Sequence, residues 1–542
     1  MICNLENNNG RIWHEFPKGF VKGFAYIGEQ LLREENLYFE CIDAIENNLL
    51  QDWLKKLNGN FSAVIHIKDK IFLIVDKLRS YPLFYYQSED NIYICDIGEN
   101  MLNFLPKKLN RMAVYELLSL GYLSFDTLIE NVYSVNAGSY VVIEPNHNVD
   151  IFLYFSYIFD KKQINKEELF NLSSKRLEDG FRKIQNTIGK HTILLPLSGG
   201  YDSRLVACLC KKAGLDNVIC FTYGIKDSFD VVFSKKVADA LGYKWYFVEY
   251  TKELWDTFLS SQDFIDYCRY AGNLTANPHF QDLPALLKLK KEGIIHQNMI
   301  VMPGHSGDLL GGSKIPISIL EKHKIKLTHE FLSKMIYENF YDLNKIPSSQ
   351  KKIIIEKNKK LISQLSLNNI DDLLDIYESF WFVKSKVANF LVNSMRGYEF
   401  VGLEWRLPLW DDTYAELWYS IPWSYKYYSS LYNDFMFVKY FEPFNVNFYK
   451  KTSVTNRELF ISIKKRLPIF ISKPLRNSVH KIRALLYHQN INAFDDVVSL
   501  LIHNEQLDKK KTGNYKLVKN CYKINAVVAK YYLKLLSPTA LR

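Results

Sequence analysis

The octapeptide Leu197-Ser198-Gly199-Gly200-Tyr201-Asp202-Ser203-Arg204 constrains this chain more than any other stretch of it. An apolar run, Thr192-Ile193-Leu194-Leu195, leads into it, and Leu205, Val206 and Leu209 leave it at helical spacing. The pattern predicts a buried strand, a tight turn and a helix. Two glycines let the backbone fold closely and present N–H groups, and a helix N-terminus adds partial positive charge. Ser198 and Ser203 can donate to phosphate oxygens. Asp202 would repel a bare phosphate, so it points to a bridging cation, and Mg²⁺ held by one or two carboxylates plus phosphate oxygens fits. The spacing is not G-x-x-x-x-G-K-[ST]. The alternative is a purely structural glycine turn.

A second glycine-rich stretch, Pro303-Gly304-His305-Ser306-Gly307-Asp308-Leu309-Leu310-Gly311-Gly312, also follows an apolar run. Between the two lie Asn217–Phe221 as a strand, a helix over roughly 230–241 and Trp245–Val248 as a strand, which implies βαβ units and a parallel sheet. Two such turns in one sheet meet at its carboxyl edge, where ligands bind. Asp202 and Asp308 would then share the metal; taken alone, Asp308 is a turn aspartate.

Residues 1–155 differ. Phe61–Ile67, Ile71–Val75, Leu83–Tyr86 and Ile92–Cys95 read as short strands with polar turns, an antiparallel β-rich unit. Residues 165–190 read as helix, and the chain from about 318 onward is mostly helical. The expected division is 1–155, 156–454 and 455–542. The last segment holds 17 Lys or Arg against 5 Asp or Glu, a net +12 in a chain of +10 overall, so the basicity belongs to it. There Leu459, Phe460, Ile463 and Leu467 alternate with Lys464, Lys465 and Arg466: either a solvated cationic face or a contact with anionic lipid or a polyanion.

With 48% hydrophobic and 24% charged residues over 542 positions, disordered, fibrous and coiled-coil chains are excluded. No apolar stretch approaches a membrane span, and Met1–Glu6 has no signal-peptide pattern. The eight cysteines lack C-x-x-C spacing, which predicts free thiols and a cytoplasmic setting.

Taken together these motifs resemble the asparagine synthetase family. Ser198–Ser203 looks like its pyrophosphatase-type ATP loop, with Leu197, Tyr223, Pro303 and Gly304 at the nucleotide. Glu404-Trp405-Arg406-Leu407-Pro408-Leu409-Trp410-Asp411 resembles its E-x-R-x-P-[FL]-x-D motif. Asn58–Ala63, Asp76–Tyr86, Gly121-Tyr122, Thr127-Leu128 and Ala137-Gly138-Ser139 look like its glutaminase-like domain. The resemblance implies an N-terminal Ntn-hydrolase-like domain of α+β type. It implies next an α/β nucleotide α-hydrolase-like synthetase domain with a helical C-terminal part. It implies ATP and Mg²⁺ as cofactors and AMP-forming amide synthesis, in which ATP adenylates a carboxylate and ammonia or an amine attacks it. The carboxylate belongs to a small molecule or a sugar uronate; relatives that close rings intramolecularly leave that chemistry open.

The chain departs from the family in places. The thiol nearest the N-terminus is Cys3, behind Met1 and Ile2, so glutaminase chemistry is not expected and Cys3 reads as structural. Where asparagine-forming members carry Glu, this chain has His305, either a base near neutral pH or a turn histidine. The catalytic set by resemblance is His305, Glu404 and Lys450, with Lys451 the adjacent alternative. Trp405, Trp410, Tyr414, Trp418, Tyr419, Trp423 and Tyr432 form either a platform for a sugar ring or helix packing. A tRNA-modifying relative and a non-catalytic scaffold are the competing classes. The lack of paired cysteines and the glutaminase-like segment oppose the first, so no nucleic-acid partner is expected. The intact loop and Asp308 oppose the second.

Overall fold

The computed structural model describes residues 1–7, 12–316, 327–448, 492–504, 507, 511–512, 515–516 and 523–537. Its N-terminal part holds two sheets. Strands β1 (Ile2–Asn4), β7 (Phe84–Gln87), β8 (Ile92–Cys95) and β9 (Tyr133–Ser134) run in the order β1-β8-β7-β9. A second path, β11-β10-β6-β5-β3-β2, uses β2 (His14–Phe16), β3 (Gly19–Ile27), β5 (Asn58–Ile67), β6 (Lys70–Val75), β10 (Ser139–Ile143) and β11 (Val149–Leu153), with β4 (Gln30–Arg33) paired to β3. Val64, Leu73, Val141 and Ile143 of the second sheet pack with Tyr85, Ile92 and Ile94 of the first. This sandwich follows from the period-two alternation of the strands.

The four expected strands pair antiparallel, β5 with β6 and β7 with β8. The region also contains the helices α1 (Glu34–Glu46), α2 (Leu50–Lys56) and α3 (Arg111–Leu120). Leu37, Cys41, Ala44 and Ile45 of α1, at three-to-four-residue spacing, cover the outer face of the larger sheet. Strand β1, which the sequence did not suggest, adds parallel to β8 with Cys3 beside Ile94.

Helix α4 (Lys166–Asn186) begins at Asn165, whose side chain accepts the Glu168 N–H, and buries Leu169, Phe170, Ser173, Leu177 and Phe181. A five-stranded parallel sheet follows, in the order β14-β13-β12-β15-β16: β12 (Thr192–Pro196), β13 (Val218–Gly224), β14 (Lys244–Glu249), β15 (Met299–Val301) and β16 (Glu404–Trp405). Helices α5 (Tyr201–Lys212), α6 (Phe229–Leu241), α7 (Lys252–Leu259), α8 (Gln262–Gly272) and α9 (Leu283–Lys291) form its connections. The near-continuous burial of β12, β13 and β15 is what a parallel sheet covered on both faces requires.

The described C-terminal helices pack on the synthetase-like and N-terminal elements. Helix Ile524–Leu536 packs against α3 and α8, with Val527, Val528, Tyr532 and Leu533 in the main core. The Tyr532 hydroxyl accepts the Leu274 N–H at 3.0 Å. Gly272 lies so close that an added Cβ would sit 2.2 Å from the Tyr532 ring. Helix Phe494–Asn504 packs on α7, where Trp255 Nε1 donates to the Asn492 carbonyl. The amphipathic stretch around Leu459–Leu467 lies outside the described residues. No helix among the described residues is long and apolar enough to cross a membrane.

Candidate active site

Strand β12 ends at Pro196, and the Leu197 carbonyl accepts the Thr222 hydroxyl at 2.6 Å, tying the ends of two neighbouring strands together. The chain then turns through Ser198–Gly200 into α5, as the glycine pair predicts. The loop is closed on itself: Ser203 Oγ accepts the Ser198 N–H at 3.1 Å, and Ser198 Oγ accepts the Gly200 N–H at 3.1 Å. The Gly199 N–H donates to Asp230 Oδ1 at 2.9 Å, so a carboxylate from the first turn of α6 occupies the position of an anion at this amide. Beneath the loop, buried Arg204 donates to the Gly199 carbonyl and, at 2.9 Å each, to the Val446 and Phe448 carbonyls. Burial brings its guanidinium down to about 10.

The second glycine loop leaves β15, with the Met302 N–H donating to the Leu194 carbonyl at 3.0 Å. It passes against the first: a Cβ on Gly304 would lie 2.3 Å from the Ser203 backbone nitrogen. Only glycine permits this approach. The Asp308 N–H donates to Asp202 Oδ2 at 2.9 Å. Desolvation, and then the Asp308 charge, push the Asp202 carboxyl up to about 8. Lys314 lies 3.5 Å from Asp308.

Among the described residues no cluster of three or more His, Cys, Asp or Glu could hold a metal. Asp202 and Asp308 could together hold a hard ion that takes its remaining ligands from water and phosphate, as Mg²⁺ does.

His305 follows Gly304 and is half-buried. Desolvation, then His279, bring its imidazole down to about 4, so it is neutral at physiological pH. His279 Nδ1 stands 4.0 Å from Asp282 and has no hydrogen-bond partner among the described residues. The segment carrying His279 is tied to the N-terminal part, where the Leu123 N–H donates to the Thr275 carbonyl and the Asn277 N–H to the Gly121 carbonyl. Tyr223, at the end of β13, stacks on Tyr250 with centroids 5.0 Å apart.

The structure thus brings Leu197–Ser203, Pro303, Gly304, His305 and Asp308 to one edge of the sheet. It does not bring Glu404 there. That carboxylate accepts from Arg406 at 3.0 Å and lines a cleft with His14, Phe24, Arg33 and Glu34 of the N-terminal part. Lys450 and Lys451 lie outside the described residues.

Sequence reasoning missed a group beside the second loop. Gly312, at φ +80°, packs on Lys426, where an added Cβ would meet Lys426 Cβ at 2.8 Å. Lys426, Glu378 and Tyr419 are each fully buried, and their Nζ, both carboxyl oxygens and Oη have no hydrogen-bond partner among the described residues. Burial brings Lys426 down to about 7 and Glu378 up to about 8. A sequence signal existed: Glu378 is an acid inside the apolar run Tyr377–Val383. Trp410 and Trp423 pack on the Tyr419 ring, and Trp418 packs on Tyr414 and Tyr432, all buried, so these rings are helix packing, while Trp405 lies against Tyr81.

In the N-terminal part the Cys3 thiol is pushed up to about 12, by burial first and by Asp96 next. Asp96 is itself occupied, accepting from Trp13 Nε1 at 2.8 Å and pairing with Lys22 at 3.4 Å.

Residues 187–431 match the family model for asparagine synthase. No curated protein matches the chain. Among solved structures, an NH3-dependent NAD synthetase from Campylobacter jejuni subsp. jejuni is 17% identical over 40% of this chain and 94% of its own, with a TM-score of 0.21. An NMN synthetase from Francisella tularensis is 15% identical over 38% of this chain and 100% of its own, with a TM-score of 0.20. Glutamine phosphoribosylpyrophosphate amidotransferase from B. subtilis is 9% identical over 55% of this chain and 59% of its own, with a TM-score of 0.18. Similarity at this level decides nothing about chemistry.

Proposed function

We propose, from the match of residues 187–431 to the asparagine synthase family model, that the chain is an ATP-dependent, AMP-forming amide ligase acting on a small-molecule or sugar carboxylate. The observation that carries this reading is the contact between the two glycine loops, which sets Asp202 against Asp308 beside the N-terminus of α5.

In this account the Ser198–Ser203 loop and the first turn of α5 bind the β- and γ-phosphates of ATP. The amides now held by Ser198, Ser203 and Asp230 are those that turn to phosphate oxygens. Asp202 and Asp308 would hold Mg²⁺, which would supply positive charge against the departing pyrophosphate. A carboxylate oxygen of the substrate attacks the α-phosphorus, and the bond to the bridging oxygen of pyrophosphate breaks. The nitrogen of ammonia or of a substrate amine then attacks the activated carbonyl, loses a proton, and AMP leaves. His305, neutral at pH 7, is suited to hydrogen-bond a reacting group and poorly suited to store the proton.

In this reading nitrogen comes from ammonia or an amine; burial, and then Asp96, push the Cys3 thiol up and away from the thiolate that glutamine hydrolysis needs. The test is ATP–pyrophosphate exchange across a panel of carboxylic acids that includes uronates and aspartate. Acid-dependent exchange supports the reading, and its absence with every acid counts against it.

A further inference from the structure

The larger N-terminal sheet ends on an exposed strand. In the path β11-β10-β6-β5-β3-β2, β11 pairs with β10 on one side and with no strand among the described residues on the other. Ile151 is 61% exposed, and Phe152 and Leu153 also face water. Single edge strands are guarded by Lys, Pro or a bulge, because their free N–H and C=O groups invite pairing with another chain. The opposite edge is polar: β2 is His14-Glu15-Phe16, with Glu15 exposed. Strand β11, Val149-Asp150-Ile151-Phe152-Leu153, carries neither Lys nor Pro.

The ladder shows which backbone groups of β11 are free. The Glu144 N–H donates to the Asn148 carbonyl and the Tyr154 N–H to the Gly138 carbonyl, each at 2.9 Å. Bonded residues alternate along an antiparallel pair. Asp150 and Phe152, opposite Val142 and Tyr140, share the phase of Asn148 and Tyr154 and turn their backbone groups to β10. Val149, Ile151 and Leu153 turn theirs outward.

We propose that β11 is the docking edge for a second copy of this chain, which adds its own β11 antiparallel about a two-fold axis at Ile151. Self-complementarity selects this occupant. In that register Ile151 faces Ile151 and Val149 faces Leu153, so every outward-turned residue meets an outward-turned one, and each such pair exchanges both of its N–H···O bonds. Apolar side chains meet apolar ones on that face. On the other face Asp150 stands opposite Phe152 of the second copy, and no like charges are opposed. The alternative register that pairs Val149 with Ile151 would set Asp150 against Asp150, which is unfavourable. A cleft of about 450 Å³ flanks this edge between the α1–α2 turn and the sheet, lined by Ile45, Phe72, Tyr140, Asp150 and Phe152. The second copy's Phe152, set opposite Asp150, would stand at its mouth. Pairing would join the two larger sheets into one and remove both open edges.

The experiment is sedimentation velocity of the full chain over a concentration series. A reversible dimer, twice 63.6 kDa, is expected. Ile151→Lys should raise its dissociation constant at least ~10-fold, because it sets two like charges against each other at the axis. Ile353→Lys, at a 50% exposed position on the helix Ser348–Ile362, should leave the constant unchanged. Thermal melts confirm that both variants are folded. Cross-linking gives an independent reading. The axis sets the two Cα atoms of residue 151 about 5.5 Å apart, so a short bis-maleimide should join two Ile151→Cys chains and should not join Ile353→Cys or wild-type chains. A wild-type chain that stays monomeric, a dimer indifferent to Ile151→Lys, or no cross-link at position 151 overturns the proposal.

Discussion

The Asp202 carboxylate accepts the backbone N–H of Asp308 at 2.9 Å, so one glycine loop fixes the position of the other. The same contact sets two acids against each other, and the buried one is driven up to about 8. Two carboxylates held together in this way could share a cation that takes its other ligands from phosphate.

Asp202→Asn and Asp308→Asn should each lower turnover by at least ~10²-fold, the scale for removing a group that offsets developing charge. Neither should lower the melting temperature by much, because Asp202→Asn keeps an oxygen that can accept the Asp308 N–H, and the Asp308–Lys314 pair is half-exposed. Near-normal rates at ordinary Mg²⁺ concentrations would contradict the assignment.

Gly304→Ala should abolish nucleotide binding and leave the parallel sheet intact. The new methyl would stand 2.3 Å from the Ser203 nitrogen, inside the contact distance of any carbon, and push the two loops apart. Equilibrium binding of a labelled ATP analogue reads the loss, and wild-type affinity would contradict the contact.

Glutamine should not be hydrolysed, and Cys3→Ala should be silent. Burial, and then Asp96, push the Cys3 thiol up, and Asp96 is itself committed to Trp13 and Lys22. Glutamate release from glutamine, compared between wild type and Cys3→Ala, is the measurement. Release that disappears in the variant would restore a glutaminase.

Stability should fall as pH rises from about 4.5 to about 7 through Glu99, near the C-terminal helix. Burial raises this carboxyl from 4.5 to about 7, offset in part by Arg269 and Lys107, and the Tyr532 hydroxyl lies 3.4 Å away. The folded chain therefore binds more protons than the unfolded chain in that window, so the contribution is complete below about 4.5 and lost above about 7. It amounts to about 3 kcal/mol at most. Glu99→Gln should flatten the profile, as read by denaturant melts at successive pH values. An unchanged slope would contradict the burial of this group.

The parts of this site that were legible in the sequence are those written locally. An apolar run, a glycine pair and a helical period within twenty residues define strand, turn and helix, and both loops stand where that pattern puts them. The Lys426–Glu378 group was not legible, because its members lie far apart in the chain, with β16 between them, and only packing joins them. Glu404 was misplaced for a related reason. Its motif pairs with β15, but its side chain turns to the N-terminal cleft, and strand direction does not tell which face a short edge strand presents. Basic composition hid the apolar side of Ile524–Leu536, whose Val527, Val528 and Leu533 complete the main core.

The most direct test identifies the nucleotide product. The chain is incubated with ATP, Mg²⁺, ammonia and the acid that gives the strongest exchange, and the phosphorus species are read by ³¹P NMR. A pyrophosphate-binding loop predicts AMP and pyrophosphate in equal amounts, formed in step with amide. ADP and inorganic phosphate as the products would contradict the account at its centre.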